Sequence, residues 1–246
     1  MGEVTVLSIG MTHPWNIAGV GLDLRIGAEL GVRVFTVVAA VSAQDAQGVR
    51  LQTINGETLR AQLDTIPWDR VRAVRVGAVT SPETAYVIAD ALSVQALPVV
   101  IDPVFASSTG GTFAGPGTID AFRDALLPTR GAIITPNLDE AMKLVRSHSE
   151  ITSVEQAATA ATMLRDLGAA AVLVKGGHLP GEPVDVLVDG DRTELFSGER
   201  IAGEMRGTGC TLAMALACAL ARGDDLRDAV RFARGFVREK IAQANL

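Results

Sequence analysis

Short apolar, β-branched segments alternate along the chain with amphipathic or Ala-rich segments of helical length. Strands that are joined by helices pair in parallel, and the helices cover both faces of the sheet. We therefore predict one α/β domain over residues 1–246, with a mostly parallel central sheet and helices on both faces. The predicted strands cover residues 4–9, 32–41, 71–76, 99–102, 132–135 and 171–174, followed by a hairpin of residues 184–188 and 193–196. The predicted helices cover residues 20–30, 82–92, 119–126, 137–145, 153–167, 208–221 and 226–242, while residues 53–66 have a mixed pattern with a turn signal at Asn55-Gly56.

Composition and charge argue against two classes of function. Hydrophobic residues make up 48% of the chain, which supports a large core, but aromatic residues make up only 4% and the net charge is −6. Nucleic-acid binding needs clustered cations or aromatic stacking platforms, so we expect no nucleic-acid partner. No apolar run approaches the length of a membrane span, and residues 1–10 lack the features of a signal peptide. We therefore expect a cytoplasmic protein without membrane contact.

The two cysteines, Cys210 and Cys218, are expected to be free thiols. Because they are eight residues apart on one predicted helix, they are separated by about 12 Å, which is too far for a disulfide. The three histidines show no metal-ligand spacing with them, so we expect no zinc site.

The segment Gly207-Thr208-Gly209-Cys210-Thr211 precedes an Ala/Leu-rich run and is typical of a tight loop that leads into a helix. Unpaired N–H groups at a helix N-terminus bind anions, and glycines let an oxyanion approach the backbone. In this first turn we expect the pKa of the Cys210 thiol to be lowered. The local pattern also fits an ordinary glycine turn before a buried helix, and that alternative stays open.

Other polar residues follow the predicted strands, at the edge where parallel sheets bind ligands. Asn137 and Glu140 lie one helical turn apart and form either an oxygen-ligand pair for Mg²⁺ or a capping box. Asp102 is a further candidate for the same ion, or a solvated loop acid. Lys175 is either a phosphate-binding lysine or a surface lysine after an ordinary strand.

Two polar residues lie close to the first two predicted strands. Asp23 interrupts an apolar helix start, and Gln44 follows a buried strand. Both could hydrogen-bond a polar heterocycle, and both could equally be satisfied polar groups at the edge of the core.

Taken together, these segments resemble the hydroxymethylpyrimidine/phosphomethylpyrimidine kinases of thiamine biosynthesis, which belong to the ribokinase-like superfamily. The resemblance keeps the family's order and spacing over nearly the whole chain. The matching segments are residues 18–24, 42–45 with 48–49, 101–104, 135–141, 174–179 and 207–212.

The resemblance implies a ribokinase-like fold, an ATP-dependent phosphotransferase with Mg²⁺ as cofactor, and a role for each matching residue. The acceptor would be a heterocyclic alcohol or its phosphate, and the protein would be a homodimer. The implied catalytic residues, which form the anion hole, are Gly207, Thr208, Gly209 and Cys210. The residues implied to bind the nucleotide are Lys175, Thr211 and Asn137. Those implied to bind the acceptor are Asp23, Gln44, Ala18 and Ala78, and those implied to bind the metal are Glu140 and Asp102.

In the same comparison, Cys210 stands where ribokinase-like sugar kinases have a catalytic Asp, so it is a candidate base for an alcohol acceptor. A phosphate acceptor is already ionised and needs no base. A pyridoxal or related vitamin kinase is the alternative within this fold. A catalytically weak ligand-binding relative is the alternative outside enzyme function.

The acceptor side departs from the family pattern. His13, Trp15 and Ile17 stand where the family has an acidic residue and small residues, and Arg206 replaces a His before the anion hole. Bulky groups in the loop after the first strand are expected to narrow the room around the acceptor ring.

Overall fold

All the strands in the described part of the chain belong to one sheet. The computed structural model describes residues 3–45, 48–107, 110–203 and 205–244. The strands are β1 (Thr5–Thr12), β2 (Arg33–Asp45), β3 (Gly48–Thr53), β4 (Val71–Val76), β5 (Val99–Ile101), β6 (Ala132–Ile134), β7 (Ala171–Val174), β8 (Val184–Asp189) and β9 (Arg192–Ser197). Their order across the sheet is β3-β2-β1-β4-β5-β6-β7-β8-β9. The order reverses between β1 and β4, and such a switch point opens a ligand crevice at the carboxyl ends of the strands.

The centre of the sheet is parallel, as predicted. The strands β2, β1, β4, β5, β6 and β7 pair in parallel. β8 and β9 form the predicted hairpin, and β8 pairs antiparallel with β7. β3 was not predicted. It pairs antiparallel with the second half of β2, and its residues alternate between exposed and half-buried, so it lacks the continuous apolar run that marks a central strand.

The helices are α1 (Gly19–Glu29), α2 (Gly56–Asp64), α3 (Pro82–Ser93), α4 (Thr118–Ala121), α5 (Leu138–Leu144), α6 (Val154–Asp166), α7 (Thr208–Arg222) and α8 (Leu226–Ala244). The predicted helix 119–126 changes form after α4, because Phe122–Leu126 makes wider π-helical turns. The turn predicted at Asn55-Gly56 is instead the start of α2, where the Asn55 side chain accepts a hydrogen bond from the Thr58 N–H.

Two separate apolar layers confirm helices on both faces. Leu7 and Ile9 of β1 point into a core that includes α2, α3, α5 and α6. Val6, directly before Leu7, points to the opposite face, where α1, α7 and α8 pack. α7 therefore packs against this second face of the sheet.

No helix in the described ranges combines the length and the apolar character needed to cross a bilayer.

Candidate active site

The N-terminus of α7 lies beside the residues that follow β5 and β7. A side-chain carbon placed on Gly209 would lie 3.2 Å from Lys175 Nζ and 3.7 Å from Asp102 Oδ2. Lys175 directly follows β7, and Asp102 directly follows β5. The fold therefore brings together three segments that the sequence analysis expected at this edge.

Gly207 shapes the entry to α7. It is the N-cap residue with a φ of 81°, and a Cβ there would lie 2.4 Å from the carbonyl oxygen of Ile17. The Thr211 hydroxyl donates to the Gly207 carbonyl at 2.9 Å, and Thr211 is buried. This hydrogen bond stabilises the loop, and the predicted nucleotide contact of Thr211 stays a prediction. Thr208 and Gly209 remain partly exposed in the first turn.

Cys210 is a free thiol in this first turn, as predicted. Its pKa differs from the expectation. Burial raises the pKa of the Cys210 thiol, and the charges of Asp102 and Asp23 raise it further, against the lowering effect of Arg75 and of the Gly19 N–H. The prediction of a lowered pKa was wrong, because the helix N-terminus acts here on a desolvated thiol with two carboxylates nearby.

Arg75, which the sequence analysis missed, lies under this site. Its guanidinium is completely buried and forms ion pairs with Asp23 (Nη1 to Oδ2, 3.2 Å) and Asp102 (Nη2 to Oδ2, 3.4 Å). Gly77 leaves room for it, since a Cβ there would lie 2.1 Å from Nη1. One feature of the sequence could have revealed Arg75. It is a charged residue inside the strand β4, at a position where both faces of the sheet are covered.

Lys175 and Asp102 form the next ion pair. Lys175 Nζ lies 2.8 Å from Asp102 Oδ1 and 3.9 Å from Glu140 Oε2. Burial lowers the pKa of Lys175, but Asp102 and Glu140 raise it more, so the ammonium stays charged. A fixed cation therefore stands beside the N-terminus of α7, where it can bind phosphate oxygens.

Asn137 and Glu140 form the capping box that was one of the two interpretations. The Asn137 side chain accepts from the Glu140 N–H at 2.8 Å, and Glu140 Oε2 accepts from the Asn137 N–H at 2.7 Å. Glu140 is only 7% exposed. Burial raises the pKa of its carboxyl to about 7, opposed by Lys175 and assisted by Asp102. The capping role does not exclude the second interpretation, because this carboxyl also lies next to Lys175.

The candidate metal ligands differ in how well they fit Mg²⁺. Within the described ranges, no group of three or more His, Cys, Asp or Glu side chains could hold a metal ion by itself. Mg²⁺ beside substrate phosphates needs only one or two carboxylates, since waters and phosphates complete its shell. Glu140 fits this, because its Oε1 is not used in the capping box. Lys175, Arg75 and Thr135 engage the two oxygens of Asp102. Its predicted metal role stays a prediction.

The residues predicted to bind the acceptor differ in how exposed they are. Gln44 is partly exposed, and its Oε1 lies 3.4 Å from Arg206 Nη2. Ala18 is the N-cap of α1 and is partly exposed, whereas Ala78 is nearly buried, in a small apolar cluster. Asp23 is completely buried and accepts a hydrogen bond from the Ser8 hydroxyl at 2.6 Å. Its carboxylate also forms the ion pair with Arg75, and its predicted contact with the acceptor stays a prediction.

The loop after β1 does not present all of its bulky groups to the site. Trp15 is 66% exposed, and its ring packs edge-on against His13 with centroids 5.6 Å apart. His13 is buried and its Nδ1 accepts from the Trp15 N–H. Burial lowers the pKa of His13, and the nearby charge of Arg206 lowers it further, so both effects favour the neutral imidazole.

Comparison with known proteins shows which family this chain belongs to. A family model described as phosphomethylpyrimidine kinase matches residues 15–246. The hydroxymethylpyrimidine/phosphomethylpyrimidine kinase of Rhizobium meliloti is 36% identical over 243 residues, which cover 97% of this chain and 91% of the relative. The chain belongs to the phosphomethylpyrimidine kinase family.

Solved structures agree with this kinase assignment. A crystal structure of phosphomethylpyrimidine kinase from Clostridium difficile 630 superposes with a TM-score of 0.83 at 28% identity, covering 99% of this chain and 100% of that chain. The pyridoxal kinase from Staphylococcus aureus in complex with AMP-PCP and pyridoxal gives a TM-score of 0.87 at 26% identity, covering 98% and 88%. This kinase thus has the predicted ribokinase-like fold. It is an ATP-dependent phosphotransferase, and the alternative of a binding protein without activity is set aside.

Proposed function

We propose that this kinase transfers the γ-phosphoryl group of ATP to the hydroxymethyl oxygen of hydroxymethylpyrimidine, and then to the resulting monophosphate, in thiamine biosynthesis. Family membership and the junction of the α7 N-terminus with Lys175 support this proposal. The junction combines free backbone N–H groups with a fixed ammonium, which is the environment that a phosphoryl group in transfer requires.

On the donor side, the chain's own groups bind and orient the phosphates. The N–H groups of Thr208, Gly209 and Cys210, in the first turn of α7, would bind the transferred phosphoryl group. The ammonium of Lys175, which is paired with Asp102, would add a positive charge beside it. Asp102 holds Lys175 at 2.8 Å, and Asn137 keeps the Glu140 carboxyl in place by capping α5. Mg²⁺, when bound with ATP, neutralises phosphate charge, and Glu140 is the residue that would hold it.

On the acceptor side, Gln44 and Ala18, which are both partly exposed, would contact the ring of the acceptor. Cys210 is the base for the alcohol acceptor. Its raised pKa leaves a small thiolate population at neutral pH, but a base of high pKa is a strong proton acceptor once it is ionised. With the monophosphate no proton has to leave, so the second transfer does not need Cys210 as a base.

Product analysis tests the proposal. The protein is incubated with hydroxymethylpyrimidine, ATP and Mg²⁺, and the products are followed by mass spectrometry over time. We expect the monophosphate first and the diphosphate after it, with one ADP formed for each transfer. Failure to form either product, while pyridoxal is phosphorylated, would favour the second candidate, a pyridoxal kinase, which the likeness to the Staphylococcus aureus enzyme supports.

The proposal includes a homodimer in the cytoplasm. The two free cysteines fit a reducing compartment. Sedimentation equilibrium of the purified protein measures the oligomeric state, and a monomer over the whole concentration range would contradict the dimer.

A further inference from the structure

The turn after β1 connects the predicted acceptor side to the entry of α7. The Thr12 carbonyl, at the end of β1, accepts a hydrogen bond from the Ser42 hydroxyl of β2 at 3.2 Å, and Gln44 follows Ser42 on the same strand. At the other end of the turn, the Ile17 carbonyl oxygen lies 2.4 Å from the position of a Cβ on Gly207, the N-cap of α7. The residues between Thr12 and Ile17 therefore lie where an acceptor would meet the anion hole.

His13 has a fixed orientation inside this turn. The residue is only 6% exposed. Its Nδ1 accepts a hydrogen bond from the Trp15 N–H at 3.2 Å, and the two rings pack edge to face with centroids 5.6 Å apart. The Asn16 N–H donates to the His13 carbonyl at 3.0 Å and closes the turn. Asn and Asp side chains commonly accept from the backbone two residues further on in turns, and here the imidazole makes that bond.

The bond at Nδ1 determines which nitrogen of His13 carries the proton. Because Nδ1 accepts, the proton of the neutral imidazole is on Nε2. Burial and the charge of Arg206 both lower the pKa of His13 and favour this neutral form. Among the described residues Nε2 has no hydrogen-bond partner, yet it is not one of the unpartnered side-chain atoms that are sealed from solvent. Nε2–H is therefore an oriented donor that a bound molecule can reach.

An acidic side chain, which stands at this position in the family pattern, would present the opposite kind of group. One carboxylate oxygen could accept from the Trp15 N–H as Nδ1 does, but the second oxygen could only accept as well. In His13 the second polar atom is a donor. A histidine here thus keeps the turn and reverses the hydrogen-bonding character of the atom that remains for a ligand.

We propose that His13 is a specificity-determining residue whose Nε2–H donates a hydrogen bond to a lone pair on the ring of the acceptor. This inference rests on the proposed function. The ligand class that complements such a donor is a heteroaromatic alcohol with a hydrogen-bond acceptor on its ring, such as a pyrimidine nitrogen. A ring that directs an N–H group at His13 would leave both donors unpaired and would bind less well.

Two substitutions separate the roles of the two ring nitrogens. The side-chain oxygen of Asn can occupy the position of Nδ1, so His13→Asn keeps the bond to the Trp15 N–H and removes the donor at Nε2. The side-chain nitrogen of Gln can reach the position of Nε2, so His13→Gln keeps the donor and removes the bond within the turn. His148→Asn, at an exposed histidine after α5, is the matched control. Each variant is measured for kcat/KM of the acceptor, KM for ATP and melting temperature.

His13→Asn should lose about 5- to 10-fold in kcat/KM for hydroxymethylpyrimidine, the effect of one neutral hydrogen bond, with melting temperature and KM for ATP close to the wild type. His13→Gln should retain more of this kcat/KM but melt about 2–4 °C lower, because it lacks the bond within the turn. The control should match the wild type in all three quantities. Equal losses of kcat/KM in the two His13 variants would overturn the proposal, and so would wild-type kcat/KM in His13→Asn.

The tautomer can be tested without any substrate. Heteronuclear NMR spectra that correlate the ring protons with the two ring nitrogens show which nitrogen is protonated, and the signals absent from His13→Gln identify His13. A proton on Nε2 is expected, and a proton on Nδ1 would overturn the proposal.

The choice of acceptor separates this inference from the proposed function. If the wild type phosphorylates pyridoxal but not hydroxymethylpyrimidine, the proposed function has failed. The same variants are then measured with pyridoxal, and a loss of kcat/KM in His13→Asn that exceeds the loss in His13→Gln still supports the role of His13. If hydroxymethylpyrimidine is phosphorylated and the two variants behave alike, the role of His13 has failed and the proposed function stands. Phosphorylation of neither acceptor would contradict both.

Discussion

The loop that leads into α7 depends on Gly207. Replacing Gly207 by Ala tests how precisely the backbone of the anion hole must be placed for catalysis. The left-handed backbone of Gly207 costs an Ala about 1–2 kcal/mol, of which lower entropy of the unfolded chain returns about 0.4–1 kcal/mol. The new Cβ would also lie 2.4 Å from the Ile17 carbonyl oxygen, where an ordinary contact begins at 3.4 Å. The two backbone segments must therefore separate by about 1 Å, and a misplacement of that size can cost about 10²-fold in rate.

Gly223, at the other end of α7, provides a matched control. It is the C-cap with a φ of 96°, and no atom lies within 4 Å of its added Cβ. Gly223→Ala therefore carries the backbone cost without the clash, and its melting temperature should fall by about 2–4 °C for each kcal/mol lost. Gly207→Ala should lose at least that much and, in addition, about 10²-fold in kcat/KM for ATP, measured by ADP release at a temperature where both variants are folded. Equal melting temperatures for the two variants, with wild-type kcat/KM in Gly207→Ala, would refute this reasoning.

Three further variants address the thiol, the carboxyl and the acceptor loop. Cys210→Ala should slow transfer to the alcohol by about 10²–10⁴-fold and transfer to the monophosphate far less, and equal losses in kcat would remove the base role. Glu140→Gln should raise the Mg²⁺ concentration needed for half-maximal turnover, whereas a capping role alone predicts unchanged kcat with about 1 kcal/mol lower stability. The folded-state pKa of Glu140, about 7, is above its ordinary value, so its contribution to stability is lost as pH rises through 7. The melting temperature of the wild type should therefore fall relative to Glu140→Gln between about pH 5 and pH 8. Trp15→Ala should change kcat/KM for the acceptor by less than about threefold, because the ring is 66% exposed. A larger gain for hydroxymethylpyrimidine would show that Trp15 does narrow the acceptor site.

The central sheet could be predicted from the sequence because its strands are buried on both faces. Runs such as those of β5 and β7 consist of apolar residues alone, and their order with helices determines parallel pairing. The edge strand β3 could not be predicted in the same way, since Val49, Leu51 and Thr53 alternate with exposed residues in a short segment. Its place is decided by pairing with the far half of β2, which is a tertiary contact.

The positions of the site residues could be predicted better than their environments. Asp102, Lys175 and the α7 loop meet at one edge because every parallel strand ends there. The burial of Asp23 in α1, however, depends on its pairing with an arginine of the strand β4, and no short motif marks Arg75. The pKa of Cys210 was misjudged for the same reason, because the helix N-terminus is visible in the sequence, while desolvation and the two nearby carboxylates come from elements remote along the chain.

A competition between acceptors tests the central claim most directly. The wild-type protein, ATP and Mg²⁺ are mixed with equal concentrations of hydroxymethylpyrimidine and pyridoxal, and the two phosphorylated products are quantified by mass spectrometry at low conversion. Their ratio equals the ratio of the two kcat/KM values. The account predicts that hydroxymethylpyrimidine phosphate predominates, and that omission of ATP abolishes both products. A predominance of pyridoxal phosphate would contradict it.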